Sequence, residues 1–377
     1  MFQPKYVALD TSTWINLFKY RNKQEAKDVI TVLNSGQIIP YVSFEHVLEL
    51  VQHSDQTVRL EQLDFFRVIN HVGSPKPISF PAPWRNSPLC GSYQDVQEPE
   101  ISVLLRDPTS TLDQVVEKVR PAAIAGLASG VDLANDSVLR DIARTGRATS
   151  LVSVNQAAVS MLFAALQNQN DVIPQGGTYT MLNQQAAEQR KPQLIARFAQ
   201  QFRQAGMQNP DQHAAEVVEQ SFQLIFQHYD PSSADPLRDM AANALGLNLN
   251  RLPAGSTQRD FVFETLFRSR MATHEKRMSL PPAVAYNALT RHMLPSFVAW
   301  FEFDEAARSN MPTPQGSNMI DFPLAAFAFY VDKVQVDKRV HHQAEMAARQ
   351  NPFLERVRRN LFRTPDLKSL LSVLKSL

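Results

Sequence analysis

Two aspartates and two cations stand close together near the C-terminal end of the chain. Asp321 opens an apolar helical segment, and a short strand-like segment then leads to Asp337, which Lys338 and Arg339 follow directly. Near the other end of the chain, a short hydrophobic strand leads directly to Asp10. Ligands in open α/β sheets bind outside the carboxyl ends of the strands, so carboxylates at helix starts and strand ends can converge on one cleft. The pattern predicts a binding site that combines carboxylates with adjacent cations.

Short strands followed by helices must position these side chains. Residues 6–9 are predicted to form a strand, and a helix is predicted to begin near Thr13. Residues 38–42 form a second predicted strand, which leads through Ser43 into a helix that carries Glu49. Asp10 thus stands at the end of the first predicted strand, and Glu49 lies on the helix that follows the second.

Three motifs resemble the PIN-like nuclease superfamily. They are L-D-T-S-T-W-I-N-L at residues 9–17, S-F-E-H-V-L-E-L at residues 43–50, and the segment 321–339. Residues 91–101 are also similar to the connection after the third strand in some bacterial members. The resemblance covers about residues 1–105 and 312–364. It implies an α/β fold, a three-layer α/β/α domain with a central parallel sheet that is interrupted by a large all-α insertion.

The resemblance further implies a metal-dependent phosphodiesterase. Four carboxylates hold the positions of the family's catalytic acidic cluster and its Mg²⁺ or Mn²⁺ ligands: Asp10, Glu49, Asp321 and Asp337. Hard cations prefer carboxylate oxygens, and such ions can activate a water and stabilise the leaving oxygen. Lys338 is expected to neutralise transition-state charge as a catalytic residue, and Ser12 and Arg339 are expected to contact the substrate.

Three classes of function follow from this resemblance. The first is a metal-dependent endonuclease that cuts single-stranded RNA, in a setting such as a toxin or phage defence. The second is a DNA or flap nuclease, because the same carboxylate cluster serves both nucleic acids. The third is a non-catalytic PIN-like scaffold whose helical insertion binds a protein partner.

Each carboxylate also has a structural interpretation. Asp10 and Asp321 each stand where a residue that caps a helix N-terminus would stand. Glu49 lies on the polar side of its helix, where solvent exposure is the usual outcome. Asp337 follows a strand-like segment in which carboxylates are depleted, so a structural role explains it less easily. Asp332 could lie near the metal or serve as a turn residue between helix and strand.

Composition and charge set wider bounds on the function. The chain has 377 residues, 44% of them hydrophobic, which favours two or three domains with real cores. Its net charge is +1, but residues 333–363 contain eight Lys or Arg against three acids. This basic segment could follow a phosphate backbone, or it could be a solvated helix face with internal ion pairs.

Cysteine use and hydropathy exclude several other classes of protein. The single cysteine, Cys90, excludes an intrachain disulfide and argues against a structural zinc site. No secretory signal is evident, and the longest apolar run is too short to span a bilayer, so a cytoplasmic protein is expected.

The middle of the chain has helical periodicity throughout. Residues 106–311 are rich in Ala, Gln, Leu and Arg, with apolar residues at spacings of three and four. We therefore expect a PIN-like domain built from residues 1–105 and 312–377, with a helical insertion at 106–311. The proline-rich loop before the insertion contains Phe80, Trp84 and Tyr93, which could stack on bases or cover the edge of a core.

Overall fold

A six-stranded sheet organises the part of the chain that carries the predicted site, as seen in a computed structural model. The structure describes residues 4–53, 55–74, 96–124, 126–128, 130–145, 184–204, 207–226, 251–252, 256, 258–310, 322 and 324–377. The strands are β1 (Lys5–Ala8), β2 (Ile38–Tyr41), β3 (Val72–Ser74), β4 (Gly126–Ala128), β5 (Lys333–Gln335) and β6 (Leu361–Phe362). Their order is β4-β3-β2-β1-β5-β6, and only the pair β3 and β4 is antiparallel. The predicted α/β class with a mainly parallel sheet is confirmed.

Helices connect these strands and make up most of the described residues. The α-helices are α1 (Thr11–Lys19), α2 (Gln24–Leu33), α3 (Phe44–Leu50), α4 (Gln56–Asp64), α5 (Gln97–Arg106), α6 (Leu112–Ala123), α7 (Gly130–Asn135), α8 (Ser137–Thr145), α9 (Gln184–Gln204), α10 (Pro210–Phe226), α11 (Gln258–Arg277), α12 (Val284–Ala288), α13 (Pro295–Asn310), α14 (Lys338–Gln350), α15 (Glu355–Asn360) and α16 (Leu367–Lys375). Short 3₁₀ turns lie at Phe65–Val68, Arg291–Met293, Phe327–Phe329 and Pro352–Leu354. Within the described part of the chain, no helix combines the length and apolar character needed to cross a membrane.

The order of the strands reverses direction between β1 and β5. From β1 the chain crosses to β2 and then β3 on one side, whereas from β5 it crosses to β6 on the other side. Crossovers between parallel strands are right-handed, so the two directions place their helices on opposite faces of the sheet. Helix α16 packs against α2, while α13 packs against α14. The neighbouring strands β1 and β5 therefore form a topological switch point. Open α/β sheets have a ligand crevice outside the carboxyl ends of the strands at such a point.

The chain divides into two compact units at boundaries that differ from the predicted ones. The first unit comprises Met1–Thr145 and Asn287–Leu377, and the second comprises Gly146–Tyr286. Residues 106–145 and 287–310, expected in a separate helical insertion, therefore belong with the sheet. In this stretch β4 extends the sheet beside β3, and the Tyr41 hydroxyl of β2 donates to the Ala123 carbonyl at 2.6 Å. Helical periodicity shows that residues form a helix, but it does not show which core receives the apolar face.

The second unit is helical in its described residues. Helices α9 and α10 pack against each other, with Phe198, Phe202 and Phe222 buried. Lys191 of α9 reaches across to Glu219 of α10 at 2.8 Å. Apart from β4, the described residues of the predicted insertion lie in helices, 3₁₀ turns and their connections.

Candidate functional site: an acidic cleft at the carboxyl edge of the sheet

Asp10 and Asp337 emerge at the same edge of the sheet because their strands are parallel neighbours. Ala8 of β1 lies in register with Val334 of β5. Asp10 and Asp337 follow these residues by two and three positions, respectively. Both line one cleft of about 570 Å³ at the switch point. Asp10 and Asp337 therefore lie in the same cleft, as predicted.

Asp10 occupies the position before α1, yet its side chain does not cap this helix. Among the described residues, its carboxylate makes no regular cap hydrogen bond, and it accepts one from the Ser12 hydroxyl. The Asp10 backbone N–H donates to Oε1 of Gln335 at 3.3 Å. Burial raises the pKa of Asp10 and the charge of Asp337 raises it further, while the Ser12 hydrogen bond opposes both. Weaker interactions with the backbone N–H groups of Thr11 and Ser12 also lower the pKa of Asp10. Asp10 thus carries a charge that the protein leaves only partly compensated.

Glu49 is close enough to Asp10 to feel its charge, and it is bonded to Thr11, the next residue along the chain. The Thr11 hydroxyl donates to Oε2 of Glu49 at 2.5 Å. Burial raises the pKa of Glu49, the Thr11 hydrogen bond lowers it, and the charges of Asp10 and Glu45 raise it. Glu49 is half-buried and is not among the described residues that line the cleft. The predicted proximity to Asp10 is present, although Thr11 stands between the two groups.

Asp337 caps helix α14, a role that its strand-like surroundings did not predict. Strand β5 ends at Gln335, and Asp337 is the residue before α14, with Oδ1 accepting the Val340 N–H at 2.7 Å. Its Oδ2 lies 3.9 Å from Nη2 of Arg339. The Asp337 side chain is 50% exposed and lines the cleft.

His46 holds the two motif-bearing elements together next to Asp10. This buried imidazole accepts the Ser43 N–H on Nδ1 at 3.1 Å and forms a second hydrogen bond with the Leu9 backbone. Burial lowers the pKa of His46 from 6.5 to about 3, so the ring is neutral. The residue fixes the start of α3 against the end of β1, which positions Asp10 and Glu49 relative to each other.

The polar residues predicted around the carboxylates have different fates. Ser12 and Lys338 line the cleft as expected, and Lys338 is exposed there. Arg339 is instead half-buried, and its guanidinium faces Asp337. Gln335 and Arg363 also line the cleft, although their sequence positions did not predict a site role. Their only signal was indirect: Gln335 is a polar residue between two valines, and Arg363 closes the basic segment.

Asp332 lies at the opposite edge of the sheet, which rules out a position near the carboxylate pair. It precedes β5, accepts the Tyr6 N–H at 2.8 Å and pairs with Arg120 at 2.8 Å. The turn interpretation of this residue is therefore the correct one. Several other predicted residues lie outside the described residues: Asp321, Phe80, Trp84, Cys90, Tyr93 and the segment 91–95.

The charge and donor types of the cleft suit a hard cation. Within the described part of the chain, no three His, Cys, Asp or Glu side chains gather closely enough to hold a metal ion. Asp10 and Asp337 nevertheless supply two hard oxygen donors whose charges repel each other. Mg²⁺ is commonly bound by one or two carboxylates, with waters and substrate phosphates completing its shell. The carboxylate pair fits a cation of this kind.

Comparison with protein families, curated proteins and solved structures finds no significant match to this chain.

Proposed function

We propose that the protein is a metal-dependent nuclease that hydrolyses phosphodiester bonds in the cleft outside the carboxyl ends of β1 and β5. The observation that carries this proposal is the meeting of Asp10 and Asp337 at the switch point, where burial and mutual repulsion raise the pKa of Asp10. Two carboxylates whose charges are only partly compensated, in a cleft that also exposes Lys338, suit a reaction in which cations and an anionic phosphate come together. The motif resemblance to PIN-like nucleases supports the same chemistry.

Asp10 and Asp337 would hold Mg²⁺ or Mn²⁺, and Glu49 would act through Thr11 and its charge on Asp10. A bound ion of this type lowers the pKa of a coordinated water and offsets charge on the phosphate. The Ser12 hydroxyl orients the Asp10 carboxylate by donating to Oδ2. The capping bond from the Val340 N–H to Oδ1 orients the Asp337 carboxylate. Asp321 would complete the acidic cluster if it holds the position that the resemblance gives it.

The Lys338 ammonium would offset charge that develops on the phosphate. It is the first residue of α14, next to the capping Asp337, and it is exposed on the cleft. An ammonium in a partly enclosed site interacts more strongly with a developing negative charge than it would in bulk water. Single-stranded RNA is the substrate that the resemblance favours.

The experiment compares cleavage with ion binding. Purified protein is incubated with single-stranded RNA or single-stranded DNA in Mg²⁺, Mn²⁺ or a chelator, and Mn²⁺ binding is measured separately by calorimetry. We expect RNA cleavage that depends on the ion, with both cleavage and Mn²⁺ affinity reduced in Asp10→Asn and Asp337→Asn. Preference for DNA would instead identify a DNA nuclease, and Mn²⁺ binding without cleavage of either substrate would favour a scaffold.

Asp55→Asn is the matched control for Asp337→Asn. Asp55 caps α4 by accepting the Thr57 N–H at 2.7 Å, and it is not among the described residues of the cleft. Asparagine caps helices about as well as aspartate, so both substitutions preserve the cap and remove one charge. Equal loss of activity in the two variants would contradict the assignment of Asp337 to the site.

A further inference from the structure

The cations of the basic C-terminal segment fall into two groups in the structure. Five of them are engaged with other groups: Lys333 with the Arg359 carbonyl, Arg339 with Asp337, Arg356 with Glu117, and Arg358 and Arg359 with Glu355. The other three have no ion pair within the described part of the chain: Lys338, Arg349 and Arg363. Glu355 pairs with both Arg358 and Arg359, in line with the interpretation of this segment as a helix face with internal ion pairs, so part of its positive charge is neutralised.

Two of the three unpaired cations, Lys338 and Arg363, line the acidic cleft. Strands β5 and β6 are parallel neighbours, with Gln335 in register with Phe362. Lys338 and Arg363 follow these two residues and therefore emerge at the same sheet edge. Charged side chains exposed beside a carboxylate pair, yet not paired with it, are available to an anionic ligand.

The buried side-chain amide of Gln335 links Asp10 to the loop that carries Arg363. Gln335 is 5% exposed; its Oε1 accepts the Asp10 N–H, and its Nε2 donates to the Thr364 hydroxyl at 2.8 Å. At the other end of the same loop, Asp366 accepts the Ser369 N–H at 2.7 Å and so caps α16. The loop that carries Arg363 is thus anchored on both sides of the cation.

We propose that Lys338 and Arg363 bind backbone phosphates of one nucleic-acid strand that runs through the cleft. This inference rests on the proposed function, and it specifies the form of the substrate. A volume of about 570 Å³ is that of an ordinary small-molecule pocket, which has room for a short piece of an extended strand. Lys338 and Arg363 are both cations, so the contacts that they supply are to phosphate, which positions a strand without reading its bases.

The test measures binding without cleavage. Fluorescent 12-residue oligouridine and oligothymidine are titrated with protein in chelator, across a series of NaCl concentrations. Each phosphate contact to a single strand contributes about −0.7 to the slope of log K against log salt. We expect Arg363→Ala and Lys338→Ala each to weaken binding about 5-fold to 10-fold at low salt and to make the slope shallower by about 0.7.

Arg349→Ala is the matched control, since Arg349 is exposed on α14, unpaired among the described residues, and absent from the described cleft lining. It should bind as the wild type does, and Arg363→Lys should retain most of the salt slope. If Arg363→Ala behaves like Arg349→Ala, or if duplex RNA binds more tightly than the single strand, the inference is wrong. Loss of binding in Arg363→Ala by a protein that cuts nothing would support this inference and refute the nuclease. If the protein cleaves nucleic acid and Arg363→Ala changes neither cleavage nor binding, the nuclease is supported and this inference is refuted.

Discussion

Replacing Glu100 with glutamine should remove a large pH dependence of stability. Glu100 lies in α5 and is fully buried. Its carboxyl accepts hydrogen bonds from the Ser296 N–H at 3.1 Å, the Ser296 hydroxyl at 2.7 Å and the Tyr330 hydroxyl. Burial raises the pKa of Glu100 from 4.5 to about 7, even though all three hydrogen bonds favour the charged form. Loss of the proton from this residue therefore destabilises the folded protein.

The size of the effect follows from the difference between the two pKa values. Because the folded pKa is the higher one, the unfolded chain releases its proton near pH 4.5, while the folded protein retains it to about pH 7. The stability present below pH 4.5 is consequently lost as the pH rises through this interval. At about 1.36 kcal/mol per pH unit, an interval of about 2.5 gives a loss of about 3 kcal/mol.

His46 has the opposite effect and would conceal this loss in the wild-type protein alone. Its folded pKa is lowered from 6.5 to about 3, so the unfolded chain binds a proton below pH 6.5 that the folded protein does not. The resulting rise of stability with pH opposes the contribution of Glu100 between pH 4.5 and 6.5. The difference between wild type and Glu100→Gln cancels the His46 contribution and isolates Glu100.

The assay is urea unfolding followed by tryptophan fluorescence at several values between about pH 4.5 and pH 8.5. Trp14 and Trp300 are buried in the same unit as Glu100, and Trp300 belongs to α13, whose first turn donates to Glu100. As the pH rises across this range, the unfolding free energy of the wild type should fall by about 3 kcal/mol relative to that of Glu100→Gln. Glu25→Gln, an exposed carboxyl on α2, should show no such trend. A wild-type minus variant difference that does not change with pH would refute the reasoning.

Three further predictions concern the cleft. Because the folded pKa of Asp10 is raised, the unfolding free energy of Asp10→Asn should exceed that of the wild type by more at pH 8 than at pH 3. Mn²⁺ should raise the thermal midpoint of the wild type more than that of this variant, because the variant lacks one ligand. Asp337→Ala should lose about 1 kcal/mol through loss of the α14 cap, whereas Asp337→Asn should not, and chemical denaturation of the two variants checks this. Lys338→Ala should lower the cleavage rate by about 10-fold to 100-fold, or about 1.4 to 2.7 kcal/mol, in single-turnover kinetics; an unchanged rate would remove Lys338 from the chemistry.

Local patterns were enough to predict the strands that carry the site. Residues 6–9 and 38–42 were expected as strands, and the structure has Lys5–Ala8 and Ile38–Tyr41. Short hydrophobic runs bounded by polar residues determine such elements locally. The order of the elements and their α/β pattern were then enough to bring Asp10 and Asp337 to one edge.

The partners of individual side chains depend on contacts that are distant in sequence. Glu100 has the sequence surroundings of an exposed helical glutamate, and it is buried through partners far along the chain, Ser296 at 196 positions and Tyr330 at 230. Gln335 gains its role from Asp10 and Thr364, which reach it from two different neighbouring strands. Spacing along one helix or strand holds no information about such partners, so Gln335 and Arg363 could be assigned to the cleft only after the strands were paired.

Capping and ligand binding are compatible roles for one carboxylate, so a helix-capping position does not argue against a residue as a ligand. Asp10 stands in a capping position without capping, whereas Asp337 was expected at a strand end and caps α14. A carboxylate has two oxygens and about four lone-pair sites, so a single bond to a backbone N–H leaves most of its acceptor capacity free. The cap also holds the carboxylate in one orientation, which lowers the entropy lost when a ligand binds to the other oxygen. A capping residue at the carboxyl edge of a parallel sheet therefore remains a candidate ligand group, because the bond that explains its position also prepares it to bind.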